Sequence, residues 1–189
     1  MHYRFWGLLD SCLAADALAN EENFHMRDYF LLALLTGVRR SNVLAMRWDE
    51  INLIRDEWRI ITKGNSAQTV TLSPEVVTIL SERQQAANSE WVFPGTGKTG
   101  HLVEPKKAWQ RLLDRAGLSD LRIHDLRRTL GSWQAKTGAS LLIIGKSLNH
   151  KSTQSTAIYA RLDLEPVRES VNLATTAMLN AAGRKNLPQ

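Results

Sequence analysis

The stretch EWRIITKGNSAQTVTLS, residues 57–73, decides what kind of fold this chain can have. On either side of it apolar residues recur at helical spacing, but here the period shortens. EWRIIT and QTVTLS are rich in tryptophan, threonine and β-branched residues, which suit a pleated, half-buried surface. KGNSA between them supplies the glycine and asparagine of a tight reversal, so the stretch predicts a β-hairpin. One hairpin in a chain that otherwise reads as helices implies a mainly α fold with a small antiparallel β-sheet, α+β in class.

Upstream, YRFWGLLDSCLAADALA places Phe5, Leu9 and Leu13 at helical spacing. NFHMRDYFLLALLTG predicts a largely buried helix stopped by Gly37. A further helix is expected from Ser41, capped by its hydroxyl, through NVLAMRW. Downstream, SPEVVTILSERQQA has Ser73 as its expected cap, Pro74 in the first position and Glu75 in the first turn. KKAWQRLLDRAG puts Trp109, Leu112, Leu113 and Ala116 on one face and stops at Gly117. In HDLRRTLGSWQAKTG, residues Leu126, Leu130 and Trp133 form an expected buried stripe. Another helix begins near Ser140, and HKSTQSTAIYAR reads as a short polar segment. PVRESVNLATTAMLNAAG aligns Val167, Val171, Ala174 and Met178. There is no internal repeat and no βαβ alternation.

Composition narrows the function classes. The 189 residues are enough for one domain with a real core, and a net charge of +5 with a pI of about 9.6 leans toward an anionic partner. The lone Cys12 excludes an intramolecular disulfide framework. LLALLTGV, 31–38, is far too short to span a membrane, and no N-terminal signal peptide is visible. GTGKT at 95–99 carries Val92 where a phosphate loop needs its first glycine, so it reads as a surface loop. Asp49, Glu50, Asp56 and Glu57 are too dispersed for a metal nuclease.

The chemistry-bearing residues are scattered. IHDLRRT, 123–129, gathers His124, Arg127 and Arg128 at a helix start, with Asp125 as the local counter-charge. Positive charge there opposes the helix dipole, which a bound anion would relieve. Arg39 and Arg40 follow Gly37 at a junction between helices, where a planar guanidinium can grip a phosphate. Lys63 enters the hairpin turn, and His150 precedes Tyr159 by nine residues. Singly, each has an ordinary explanation: a solvated helix start, a soluble surface, a turn lysine, a packed tyrosine. Arg128 fits a salt bridge or a phosphate contact equally well. Together, two arginines, a lysine, two histidines and a tyrosine can break a phosphodiester without metal. Arginines neutralise the non-bridging oxygens, a tyrosyl oxygen attacks phosphorus, and a lysine protonates the departing hydroxyl.

At these residues the sequence resembles the catalytic domain of the tyrosine recombinases, the phage-integrase family. TGVRRSNVLAMRWDEINL is similar to its first arginine box, with Arg39 at the catalytic position. IITKGNSAQTVTLS is similar to the family hairpin carrying Lys63. HDLRRT matches the His-x-x-Arg box of His124 and Arg127, and SLNHKSTQSTAIYARL resembles the last box, with His150 and the nucleophile Tyr159. The resemblance runs from about residue 22 to about residue 165, with a helical tail over 166–182. Two positions depart from the pattern: Asn42 stands for a glutamate, and Asn149 for a glycine before His150. Asparagine tolerates positive φ better than most residues, so that turn is expected to survive.

The resemblance implies the family's catalytic-domain fold over residues 1–189. It also implies cleavage and rejoining of duplex DNA through a 3′-phosphotyrosyl intermediate, as in integration or excision of a mobile element. No metal or cofactor is implied. Arg40, Lys98, Arg128 and Lys151 are the expected further DNA-binding residues. The partners implied are duplex DNA, further copies of the chain in a tetramer on paired sites, and an accessory DNA-bending protein, with a monomer when free. The place of action is the bacterial cytoplasm, at the nucleoid. Barely twenty residues precede the buried helix, so the helical core-binding domain of complete relatives is not expected, and the chain reads as a fragment or a truncated gene product. Two alternatives share these features: a catalytically inactive DNA-binding remnant, and a strand-relaxing topoisomerase of the related tyrosine class.

Overall fold

A computed structural model describes residues 16–61, 67–150, 152–161 and 165–181. The helix expected around Phe5, Leu9 and Leu13 falls outside them. The described residues group into two compact units: those up to Gly131 with Ser147–Asn149, and Ser132–Lys146 with those from His150 onward. The described residues are mainly helical with one three-stranded antiparallel sheet, the α+β class expected, while most of the KGNSA turn lies outside them.

In the first unit, α1 (Phe24–Thr36) opens on Asn23, whose side chain accepts from the Met26 amide, and ends at Gly37 with φ of 59°. It is buried on several sides because Tyr29, Phe30, Leu32 and Ala33 all enter the core. Tyr29 meets Phe30 and Phe93 edge-on, with centroids 5.1 and 5.7 Å apart, a geometry that the ring quadrupole favours. The next helix, α2 (Arg40–Leu44), begins earlier than Ser41. Arg39 holds the cap position, and no side chain caps it. It also stops short of the expected end. The Met46 carbonyl accepts from Val92 N at 2.9 Å and Trp48 N donates to the Glu90 carbonyl at 3.1 Å, so the backbone pairs sideways rather than winding on.

The sheet runs β1 (Ile51–Asn52), β2 (Glu57–Ile61), β3 (Ala67–Thr71), in that order. Trp58 pairs with Ile51 on one side and Val70 on the other. Trp58, Ile60 and Val70 point into the core, the period-2 alternation expected of a sheet with one wet face. β1 was not anticipated, since two residues are too few to show alternation. Asp56, at φ of 55°, completes the turn that returns the chain into β2.

Helix α3 (Pro74–Gln85) has Ser73 at its cap position as expected, but the hydroxyl makes no capping bond. Its Arg83 forms a buried ion pair with Asp28 of α1 at 2.9 Å, and it also donates to the Val92 carbonyl. Breaking such a pair by removing one partner costs about 3–5 kcal/mol, because the other charge stays buried. In the following loop Leu102 N donates to Phe93 O and Gly95 N to Gly100 O, which folds GTGKT back on itself. α4 (Lys106–Ala116) buries Trp109, Leu112 and Leu113 and ends at Gly117, as its spacing implied.

α5 (Ile123–Lys136) buries Leu126, while Trp133 is 38% exposed. The expected stripe therefore fails at Trp133, where the Lys136 ammonium covers the ring face from 5.2 Å. In the second unit, α6 (Leu141–Ser147) starts after Ser140, whose hydroxyl accepts from Ile143 N at 3.3 Å. The segment read as polar is helical. Ser152 caps α7 (Thr153–Ala157), and a 3-10 turn, Ile158–Arg161, follows. α8 (Glu165–Ala181) leaves Val171, Ala174 and Met178 of its apolar stripe exposed. Among the described residues no helix is long and apolar enough to cross a membrane.

Gly37 is the tightest point. A Cβ there would lie 2.7 Å from Leu148 Cδ2 and 2.9 Å from Leu130 Cδ2, at a positive φ that L residues rarely adopt. Gly37→Ala is expected to lower stability by about 1–3 kcal/mol through this overpacking, read as a lower urea midpoint at unchanged slope.

Candidate active site

Arg127 projects from the second turn of α5 and is only 6% exposed. A buried guanidinium needs acceptors, and it finds main-chain ones. Nη1 donates to the Gly37 carbonyl at 2.5 Å, just past the end of α1, and Nη2 donates to the Leu148 carbonyl. Arg39, exposed at the junction before α2, donates from Nη2 to the next carbonyl, Asn149 O, at 3.2 Å. Two guanidiniums that lie 88 positions apart in the chain thus share one short stretch of backbone.

That stretch depends on Asn149, which adopts φ of 49°. The left-handed turn expected where the family has glycine does form with asparagine. Its Nδ2 donates to Gln68 Oε1 at 2.7 Å, which ties the turn to β3 of the hairpin.

The start of α5 explains how three cation-capable side chains stand together. The buried Asp125 accepts from Arg122 N at 2.8 Å, as the reaching-back half of a capping box. Its other oxygen takes Arg128 Nη1 at 2.9 Å. The salt bridge expected as one reading of Arg128 is therefore formed. His124 is exposed but not fully solvated. Burial holds its pKa below the ordinary value, the charges of Arg128, Arg127 and Arg39 push the same way, and Asp125 opposes them. Burial and the arginine charges both favour the neutral ring.

In the second unit His150 and Tyr159 lie together. Their rings are parallel within 6°, with centroids 6.4 Å apart. Tyr159 is 3% exposed. His150 Nδ1 meets the Thr156 hydroxyl at 2.9 Å, and its amide donates to Gly145 O at 2.9 Å.

The remaining candidates are dispersed. Arg40 is exposed in the first turn of α2, and Lys98 is exposed at the tip of the folded-back loop. Lys63 and Lys151 lie outside the described residues. Sequence reading missed Thr156, Asp125 as a cap, and the Asn149–Gln68 link. Only Thr156 left a signal, three residues before Tyr159 on a helical repeat.

Helices around a small antiparallel sheet, with paired arginines held on a turn of backbone, define the class, and the comparisons specify it. Residues 10–165 match the phage integrase family, to which the chain belongs. It is 30% identical over 161 residues to prophage integrase IntF of Escherichia coli K12, covering 82% of this chain and 34% of that one. The fold is that of the catalytic domain of bacteriophage HP1 integrase, at a TM-score of 0.68 and 17% identity, covering 98% of this chain and all of that one. It is also similar to the site-specific recombinase XerH bound to its difH substrate, at a TM-score of 0.72 and 17% identity, covering 90% and 55% of the two chains. The chain spans only part of its curated relatives, 34% of prophage integrase IntF and 49% of the integrase of Salmonella phage P22, to which it is 28% identical.

The electrostatics of His124 can be read directly. Its NMR titration should show a midpoint below the ordinary imidazole value, and Arg128→Gln should raise it by removing a nearby positive charge. By linkage, the stability this group provides above the unfolded-chain pKa is lost as pH falls through the lower folded value. A midpoint unmoved by Arg128→Gln would contradict the electrostatic cause.

Proposed function

We propose that this chain breaks and rejoins duplex DNA through a covalent 3′-phosphotyrosyl intermediate. The observation that carries this reading is the seating of Arg39 and Arg127 on the successive carbonyls of Asn149 and Leu148. Donors fixed before substrate arrives can neutralise the non-bridging oxygens of a transferring phosphoryl group without reorganising. Relatives named as integrases and tyrosine recombinases, and a structural neighbour bound to its substrate, support DNA as the substrate.

In this mechanism the Tyr159 oxygen bonds to phosphorus and the bond to the 5′ oxygen breaks. The electron pair leaves with that oxygen, which takes a proton from Lys63. His150 donates to a non-bridging oxygen. His124, kept neutral, receives the phenolic proton or orients the nucleophile. Attack by a partner strand's 5′-hydroxyl reverses the sequence, and the intermediate conserves the bond energy, so no nucleotide is consumed. Arg40, Lys98, Arg128 and Lys151 bind the flanking phosphates, screened by salt as such contacts are. Assembly is a tetramer on paired sites, at the bacterial nucleoid, with an accessory bending protein.

On a nicked duplex that traps the intermediate, the wild-type chain should form an adduct that survives denaturation. Tyr159→Phe should form none while binding DNA with nearly unchanged affinity, and an adduct in that variant would refute the nucleophile. Lys63→Ala should be slow on normal DNA and largely restored on a bridging 5′-phosphorothiolate, whose leaving group needs no strong acid. Equal slowness on both substrates would remove Lys63 from that role.

A further inference from the structure

Thr156 is the buried polar residue of α7, 4% exposed and three positions before Tyr159. Its hydroxyl lies 2.9 Å from His150 Nδ1, and among the described residues that nitrogen is the hydroxyl's one hydrogen-bond partner. The hydroxyl has a single proton to place. If Nδ1 carried the ring proton, the two hydrogens would compete for one contact and the buried O–H would lack an acceptor. If Nδ1 is bare, the hydroxyl donates to it and both atoms of this contact are satisfied. The second arrangement is therefore favoured, and it leaves the neutral ring's proton on Nε2.

The surroundings fit a device that aims this ring. His150 is held on its backbone side by the bond from its amide to Gly145 O, at 2.9 Å. Gly145 also makes room for the threonine, because a Cβ at that position would sit 3.0 Å from Thr156 Oγ1. The ring so held is the one that lies parallel to Tyr159.

We propose that Thr156 is a positioning residue for phosphoryl transfer: its hydroxyl donates to His150 Nδ1 and so keeps Nε2–H as the donor to a non-bridging phosphate oxygen. The catalytic consequence rests on the function proposed above, whereas the tautomer does not. The full chain with nitrogen-15-labelled histidine gives the tautomer from long-range proton–nitrogen correlations, at a pH that leaves the ring neutral. Wild type and Thr156→Ser should show His150 protonated on Nε2, and Thr156→Val a mixture of tautomers. Adduct formation on the nicked duplex should slow about tenfold in Thr156→Val, as for one lost hydrogen bond, and recover in Thr156→Ser, with DNA affinity unchanged. A wild-type ring protonated on Nδ1 overturns the proposal, and that spectrum decides it even if Thr156→Val does not fold. Thr156→Val with wild-type tautomer and rate overturns it as well. A wild-type chain that shows the Nε2 tautomer but forms no adduct refutes the strand-transfer function instead, and leaves the threonine–histidine bond established.

Discussion

The first unit is organised around one costly act, the burial of the Arg127 guanidinium. A charge of that size leaves water only when its donors are met, and here they are met by carbonyls at the ends of two helices, Gly37 O and Leu148 O. The requirement reaches into packing. Leu148 and Leu130 crowd Gly37 so closely that no side chain fits there. The glycine that stops α1 and the arginine of α5 are thus parts of a single solution. The same backbone turn receives Arg39 and is anchored to β3 through Asn149. Changes at Gly37, Asn149 or Gln68 consequently bear on arginine placement although none of these residues carries chemistry.

Two buried aspartates of the first unit are already engaged: Asp125 is divided between a helix cap and Arg128, and Asp28 between Arg83 of α3 and Arg27 of α1. The chain as a whole carries a net charge of +5, which leans toward anionic partners. Burial first, and then the charges of Arg128, Arg127 and Arg39, favour the neutral form of His124.

The second unit presents its chemistry differently. Tyr159 and His150 are held by short-range order: a cap at Ser152, a threonine one turn before the tyrosine, and a glycine that lets them approach. Its last helix exposes Val171, Leu173 and Met178, more apolar surface than a solvated helix needs.

Much of this was legible in the chain itself. The period change at residues 57–73, the glycine stops at Gly37 and Gly117, and the buried face of α4 follow from local rules of periodicity and capping, and local rules are written in sequence. The set Arg39, Lys63, His124, Arg127, His150 and Tyr159 was singled out from side-chain type and order; the structure seats Arg39 and Arg127 on one turn of backbone and lays His150 beside Tyr159. Tertiary structure alone decided the rest. The two-residue β1 is defined by its pairing with Trp58 and Glu57, α2 ends early because Met46 and Trp48 bond to residues 90–92, and the arginines meet on main-chain carbonyls of two separate motifs. Each depends on main-chain groups and packing partners far apart in the chain, and such pairings are settled only when a fold brings them within hydrogen-bonding distance.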